Sequence, residues 1–155
     1  MAVRLVLAGE KDAQVIHLMQ ISAFAGLLEK YRDYDTNPGA EPMEKVKARL
    51  TQDYTYYYFV VLNGGENVGA IRVVDRKKGE RKRIAPLFIL PQYRNKGYAQ
   101  AAIREAERLH GAENWLLDTI LQEKGNCHLY EKMGYRRNGF VRCIHEGMTL
   151  VGYEK

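Results

Sequence analysis

The sequence contains few of the residues that build disulfide-rich, metal-binding or membrane-spanning proteins. Its 155 residues include only two cysteines, Cys127 and Cys143, which do not form a CxxC motif, and four histidines without the spacing of metal ligands. No apolar run approaches the roughly 18 residues of a transmembrane helix, and the N-terminus lacks the charged leader of a signal peptide. We therefore expect no metal, no structural disulfide and no membrane association, and we expect a reducing, cytoplasmic setting.

The length and composition are typical of one soluble domain. Apolar residues make up 46% of the chain and charged residues 28%. A chain of this length buries roughly 68–70% of its unfolded surface, so it folds without covalent cross-links. No linker or repeat divides the sequence, and we predict a single domain over residues 1–155. The net charge of +5 favours anionic partners in general, which leaves a phosphorylated cofactor and nucleic acid both open.

Hydrophobic periodicity predicts an α+β fold with the element order β-αα-βββ-α-β-α-ββ. The predicted strands are residues 3–8, 54–62, 68–75, 84–90, 115–119, 135–145 and 148–154. The predicted helices are residues 12–31, 41–50, 97–110 and 126–133. We expect Asp12 to cap the first helix, Gly111 to end the third, and Gly147 to form the last turn.

The most informative segment is residues 86–99, with the sequence PLFILPQYRNKGYA. It predicts a strand, a basic loop and a helix that begins at Gly97. A helix N-terminus leaves about four N–H groups unpaired and carries roughly half a positive charge, so it attracts anions. Gly97 lets the backbone approach a phosphate closely, while Arg94 and Lys96 add full charges. These features predict a pyrophosphate cradle, although the same residues taken alone also fit a solvated loop with a turn glycine.

Two motifs in this order resemble those of the GNAT superfamily of acetyltransferases. Its cofactor motif is Gln/Arg-x-x-Gly-x-Gly/Ala after a central strand, and Arg94-Asn-Lys-Gly97-Tyr-Ala99 matches it. Further along, Leu129-Tyr-Glu-Lys-Met-Gly-Tyr135 matches a second motif that such proteins often carry. With the predicted element order, the resemblance implies one GNAT-like domain. Its mixed, mostly antiparallel central sheet would have about seven strands, flanked by about four helices.

The resemblance also implies that the chain binds acetyl-coenzyme A as a co-substrate. Backbone groups of one strand would pair with the pantetheine arm, and the loop that follows would hold the pyrophosphate. The residues implied are Leu87, Phe88 and Ile89 for the pantetheine and Arg94, Asn95, Lys96, Gly97, Tyr98 and Ala99 for the pyrophosphate. Arg104 would either reach an outer phosphate or remain an exposed helix charge.

Tyr130, in the second motif, matches the family's usual general acid, which protonates the departing thiolate. A phenol with an ordinary pKa near 10 is protonated at neutral pH and can serve as that donor. From the residues alone, Tyr130 could equally be a packing aromatic. The implied reaction is direct attack of a primary amine on the thioester, without a covalent enzyme intermediate.

The chain departs from the family pattern at two points. Relatives often carry an Asn seven residues before the tyrosine, where this chain has Glu123; Asn126 either takes over that cofactor contact or caps the last helix. Some relatives have a catalytic Glu near the start of the central strand, where this chain has Lys82-Arg83-Ile84. The general base stays open among a water relay, tyrosines of residues 54–58, Glu41 and Glu44.

The acceptor cannot be identified from the sequence beyond a small-molecule or peptide amine. Carboxylates beside aromatics suit a cationic amine, and Tyr31, Asp33, Tyr34 and Asp35 supply both, although they also fit a solvated turn. The family resemblance suggests a homodimer. Two other functions stay open: a catalytically inactive acetyl-coenzyme A-binding module, and a nucleic-acid-binding domain. The latter is disfavoured because no RNA-binding signature accompanies the basic segment 76–83.

Overall fold

The computed structural model describes residues 2–155, which form one seven-stranded sheet and four α-helices. The strands are β1 (Val3–Leu7), β2 (Thr55–Leu62), β3 (Asn67–Val74), β4 (Lys82–Ile89), β5 (Trp115–Ile120), β6 (Arg136–His145) and β7 (Met148–Glu154). The helices are α1 (Ala13–Tyr31), α2 (Met43–Leu50), α3 (Tyr98–His110) and α4 (Lys124–Lys132). The predicted element order and the predicted fold class are confirmed. No helix between residues 2 and 155 has the length and apolar character needed to cross a bilayer.

The strands are arranged in the order β1-β2-β3-β4-β5-β7-β6. Five of the neighbouring pairs are antiparallel, and β4 with β5 is the parallel pair. The antiparallel neighbours β2–β3, β3–β4 and β6–β7 are consecutive in the chain, as short connections require, whereas the parallel pair needs a crossover, which α3 provides. The predicted mixed, mostly antiparallel sheet is therefore confirmed.

Two hydrophobic clusters cover the two faces of the sheet. Successive side chains in a strand point to opposite faces, and Tyr58 and Ile71 belong to the cluster that includes residues of α3 and α4. Their neighbours Tyr57 and Ala70 belong to the cluster that includes residues of α1 and α2. The buried face of α3 is mostly alanine, which lets this helix lie close to the sheet.

The sheet opens between β4 and β5. Only Lys82–Trp115 and Arg83–Leu116 are paired across these two strands, so β4 beyond Arg83 has no partner on that side. On its other side, the β3–β4 register shifts between Ile71 and Val73, opposite a segment of β4 that contains Pro86. Proline lacks an N–H and is found at bulges and edges of sheets. The two halves of the sheet consequently diverge and leave a gap.

The predicted Asp12 cap was wrong, and so was the cap alternative for Asn126. The Asp12 carboxylate does not cap α1; it accepts a hydrogen bond from the N–H of Gly9 and closes the short 3-10 turn Glu10–Asp12. Asn126 does not cap α4, because this helix begins at Lys124 and Glu123 occupies the N-cap position. The Glu123 carbonyl accepts from the N–H groups of Asn126 and Cys127, so the helical turn forms before Asn126 is reached.

Candidate functional site

A cavity of about 850 Å³ lies where β4 and β5 diverge. Its walls include residues of all four helices, of strands β3 to β7 and of the loop that connects β4 to α3. Most of the residues that the sequence predicted for the site line it: Leu87, Phe88, Ile89, Arg94, Asn95, Gly97, Tyr98, Ala99, Asn126 and Tyr130. Segments far apart in sequence are thus brought to one opening.

The free edge of β4 supplies backbone groups to this cavity. The N–H of Leu90 donates to Val68 of β3 at 2.8 Å. Because successive residues of a strand direct their polar groups to alternate sides, the N–H groups of Leu87 and Ile89 point away from β3. They face the gap in which β5 does not pair. An extended polar chain of the kind found in pantetheine could bind there as an added strand.

The loop before α3 has the backbone shape of an anion-binding nest. Asn95 has φ 64° and Gly97 has φ 83°, so left-handed residues alternate with right-handed or extended ones. Among residues 2–155, no carbonyl accepts a hydrogen bond from the N–H groups of residues 95–99. Four or five unpaired N–H groups at the start of a 13-residue helix suit a pyrophosphate.

Arg94 holds this loop against two other elements. Its Nε donates to the carbonyl of Ile89 at 2.9 Å, and its Nη2 donates to the carbonyl of Ala23 in α1 at 2.6 Å. Neutral carbonyls do not cancel the positive charge, so Arg94 still contributes to the field in the cavity. The side chains of Lys96 and Arg104 are both exposed, and neither lines the cavity.

Tyr130 lies on α4 at the wall of the cavity, with 8% of its surface exposed. Its ring packs against Tyr135 and Tyr153, with centroid separations of 6.1 and 6.2 Å. Burial, with a smaller effect from Cys127, raises the pKa of Tyr130 to about 12. The phenol therefore keeps its proton throughout the neutral range. Asn126 precedes it by one helical turn and lines the cavity on the same face of α4.

Glu123 is held in the cavity wall by two side chains of α1. Tyr31 Oη donates to Glu123 Oε2 at 2.5 Å, and Lys30 Nζ donates to the same oxygen at 2.7 Å. Burial alone would raise the pKa of Glu123, but these two hydrogen bonds outweigh it and hold the pKa below its usual range. The carboxylate is thus ionised at neutral pH. The sequence pointed to Tyr31 but not to its pairing with Glu123.

A second polar cluster lies where α1 and α2 cover β3. Glu41 accepts from Arg49 Nη1 at 2.7 Å and from Gln20 Nε2 at 3.1 Å, and Gln20 in turn accepts from the Tyr57 hydroxyl. Arg72 of β3 is only 9% exposed, and its Nε has no hydrogen-bond partner among residues 2–155. Glu41, Arg49 and Arg72 all line the cavity.

Arg72 is a cavity residue that the sequence reasoning missed. A signal was available, because the arginine interrupts the apolar strand VGAIRVV, where a charge without a partner is costly. Burial, with a further effect from Arg49, lowers the pKa of Arg72 to about 10. The guanidinium nevertheless stays protonated at neutral pH.

The remaining candidates from the sequence are divided between cavity and surface. Asp33 lines the cavity and accepts from the backbone N–H groups of Asp35 and Thr36 at 3.1 Å. Tyr34 is 63% exposed and Glu44 is also exposed, and neither lines the cavity. Asp118 of β5 lines the cavity and forms an ion pair with Arg83 at 3.2 Å. The sequence analysis did not name Asp118 among the candidate bases. Residues 2–155 contain no cluster of three or more side chains that could hold a metal ion.

The known proteins that this chain resembles are acetyltransferases. A model of the acetyltransferase (GNAT) family matches residues 24–135. An acetyltransferase from Thermus thermophilus is similar in structure, with a TM-score of 0.70 and 17% identity over 100% of this chain and 97% of that one. No curated protein sequence matches the chain.

Two structures solved with ligands share the fold at similarly low identity. Spermidine N-acetyltransferase from Vibrio cholerae, in complex with CoA and spermine, has a TM-score of 0.74 and 14% identity over 97% of this chain and 93% of that one. A putative streptothricin acetyltransferase from Bacillus anthracis, in complex with acetyl coenzyme A, has a TM-score of 0.58 and 17% identity over 68% of this chain and 64% of that one.

Proposed function

Because the chain belongs to the acetyltransferase (GNAT) family, we propose that it transfers the acetyl group of acetyl-coenzyme A to a primary amine bound in the cavity between β4 and β5. Dependence on acetyl-coenzyme A follows from the family, whereas the acceptor is our proposal. The observation that supports it best is one cavity that joins an anion nest, a free strand edge and a buried phenol.

In this proposal the cofactor is bound mainly by the backbone. The pyrophosphate lies on the N–H groups of residues 95–99, and the pantetheine arm pairs with the free N–H groups of Leu87 and Ile89. A backbone N–H near Ile89 that the pantetheine leaves free would polarise the thioester carbonyl, since donors aimed at a developing oxyanion stabilise the transition state. Arg94 acts mainly by holding the loop, and its charge adds to the attraction of the phosphates.

The chemical step is direct attack by the amine. The nitrogen lone pair forms a bond to the carbonyl carbon, the C–S bond breaks, and coenzyme A leaves as a thiolate. Tyr130 then donates its phenolic proton to the sulfur, and the proton that the attacking nitrogen releases passes through water to restore the phenol. Because burial raises the pKa of Tyr130 to about 12, the phenol is protonated when the thiolate leaves.

The acceptor reaches the cavity as an ammonium and must lose a proton before it attacks. Asp33, Glu41, Asp118 and Glu123 line the cavity, so carboxylates are present although the start of β4 has none. Glu123, held ionised by Lys30 and Tyr31, is positioned to attract the ammonium group. The hypothesis of an inactive module rested on the missing acid in β4, and these carboxylates remove that support.

Calorimetric titration with acetyl-coenzyme A tests the cofactor half of the proposal. We expect saturable binding that Arg94→Glu abolishes, because the new carboxylate would face the Ile89 and Ala23 carbonyls and the phosphates. Lys96→Glu is the matched control, with the same charge change on an exposed side chain two residues away. It should weaken binding only slightly. Equal effects of the two substitutions would mean that charge alone, and not the loop, binds the cofactor.

A panel of primary amines tests the transfer half, with release of the coenzyme A thiol as the readout. We expect at least one class of amine to give steady turnover and an N-acetylated product. Tight cofactor binding without turnover on any amine would contradict the proposal and favour a binding module.

A further inference from the structure

Among the cations that line the cavity, Arg72 is the buried one, and the cofactor does not explain its position. It lies on β3 three residues from Gly69, and Gly69 is the partner of Ile89. Three residues of a strand span about 10 Å. Arg72 is therefore well separated from the end of β4, where the pyrophosphate loop begins. It lies instead beside Tyr57, on the face of the sheet that α1 and α2 cover.

The charges that line the cavity leave Arg72 without a counterion. The cations are Lys30, Arg49, Arg72, Arg83, Arg94 and Arg142, and the carboxylates are Asp33, Glu41, Asp118 and Glu123. Three ion pairs connect Lys30 with Glu123, Arg49 with Glu41, and Arg83 with Asp118. Glu41, the carboxylate whose charge acts on Arg72, is thus already bound to Arg49.

A buried guanidinium with an unpartnered Nε is costly to the folded chain. Arg72 is 9% exposed, and its Nε has no partner among residues 2–155. Such a cost is commonly retained at binding sites, where a ligand supplies the missing partner. Because Arg72 lines the cavity, the partner can enter through the same opening as the acceptor.

We propose that the acceptor amine also carries a carboxylate group, and that Arg72 binds this carboxylate. This inference rests on the proposed function. The planar guanidinium presents paired N–H donors that match the two oxygens of a carboxylate. A monoanion suits the site better than a phosphate, because Glu41 adds negative charge nearby. The acceptor class is then an amino acid or a related amino-carboxylate. A polyamine offers no group for Arg72 to bind.

Matched acceptor pairs test the carboxylate directly. Lysine with cadaverine, leucine with isopentylamine, and phenylalanine with phenethylamine each differ only by the carboxylate. For at least one pair we expect kcat/KM to favour the amino acid by about 10- to 100-fold, the effect of one charged hydrogen bond, and Arg72→Met to bring that ratio close to one. Amines that react as well as their amino acids, or a preference that survives Arg72→Met, would overturn the inference. So would a stronger preference for phosphoethanolamine.

A binding experiment keeps the test independent of turnover. The N-acetyl derivatives of the same three amino acids, and of the same three amines, are titrated into the full chain saturated with coenzyme A. At least one N-acetyl amino acid should bind about 10- to 100-fold more weakly to Arg72→Met, while the N-acetyl amines should not change. The affinity for acetyl-coenzyme A should also stay unchanged, since a loss would assign Arg72 to the cofactor site.

The thermal midpoint separates a binding role from a structural one. Arg72→Met removes a buried unpaired charge and keeps most of the volume, so the ligand-free variant should unfold at a higher temperature than the native chain. A lower midpoint would mean that Arg72 stabilises the fold, and it would overturn the inference. A chain that binds these carboxylates through Arg72 but acetylates no amine would refute the proposed function alone. A chain that acetylates amines without regard to a carboxylate would refute this inference alone.

Discussion

In the proposed function the cavity has a cofactor side and an acceptor side, and the two are built from different chemical groups. On the cofactor side, backbone N–H groups of β4 and of residues 95–99 face the opening. On the acceptor side, the polar groups are side chains from α1, α2, β3 and α4, joined in ion pairs and hydrogen bonds. A backbone site depends on a short local segment, whereas a side-chain site depends on how distant segments pack.

Tyr130 is the proposed general acid, and its substitution should have the largest effect. Tyr130→Phe removes the phenolic hydroxyl but keeps the ring that packs against Tyr135 and Tyr153. We expect kcat to fall about 100-fold or more, with the Kd for acetyl-coenzyme A almost unchanged. Steady-state kinetics and calorimetry on the same preparation measure both quantities. Turnover equal to that of the native chain would mean that another group protonates the thiolate.

The backbone nature of the cofactor side is tested at Gly97. Its φ of 83° is unfavourable for a β-branched residue, so Gly97→Val should distort the nest. We expect acetyl-coenzyme A to bind about 10- to 100-fold more weakly, since several N–H contacts are affected together. Gly139→Val, at another glycine with positive φ that lies in β6, is the control for general strain. Similar losses of affinity in both variants would contradict a local effect.

The side-chain nature of the acceptor side is tested at Glu123. Glu123→Gln removes the negative charge that faces Lys30 and Tyr31 and should lower kcat/KM for a cationic amine about tenfold. The affinity for acetyl-coenzyme A should not change. Glu105→Gln breaks a similar contact with Arg108 on α3, away from the cavity, and should leave both quantities unaffected. A loss of cofactor affinity in Glu123→Gln would instead assign this residue to the cofactor contact.

The smallest effect is expected at His145, which connects the β6–β7 hairpin to α1. Both ring nitrogens face backbone carbonyls, Nδ1 that of Glu146 at 2.7 Å and Nε2 that of Tyr31 at 2.6 Å. Two carbonyl acceptors favour the doubly protonated ring, and these hydrogen bonds, the Glu146 contact first, raise the pKa of His145. The raised pKa means that the contact stabilises the fold fully below the unfolded value of about 6.5, and that this stabilisation is lost as pH rises through the folded value.

His145→Gln should therefore lower the thermal midpoint most at about pH 5, below the unfolded value, and progressively less as pH rises through the raised folded pKa. Titration of the ring protons by NMR gives the pKa directly. A midpoint difference that grows as pH rises would contradict the assignment.

The difference between the two sides also explains what the sequence could predict. The family assignment made from residues 94–99 and 129–135 is confirmed by the match over residues 24–135. Strand and helix positions were predicted to within a few residues, because each element has a clear local pattern. The pairing of Glu123 with Tyr31 joins residues 92 positions apart, and no local pattern encodes it. The roles of the individual site residues stay predictions.

The opening between β4 and β5 separates two groups of strands, and each group comes from its own continuous part of the sequence. Strands β1 to β4 come from residues 3–89 and strands β5 to β7 from residues 115–154, and two residue pairs join them across the sheet. A ligand that adds a strand in this gap would bridge the two halves, so its binding energy would couple units that otherwise open separately. Amide hydrogen exchange should then slow most along the facing edges of β4 and β5. In this molecule the co-substrate would complete the cooperative folding unit.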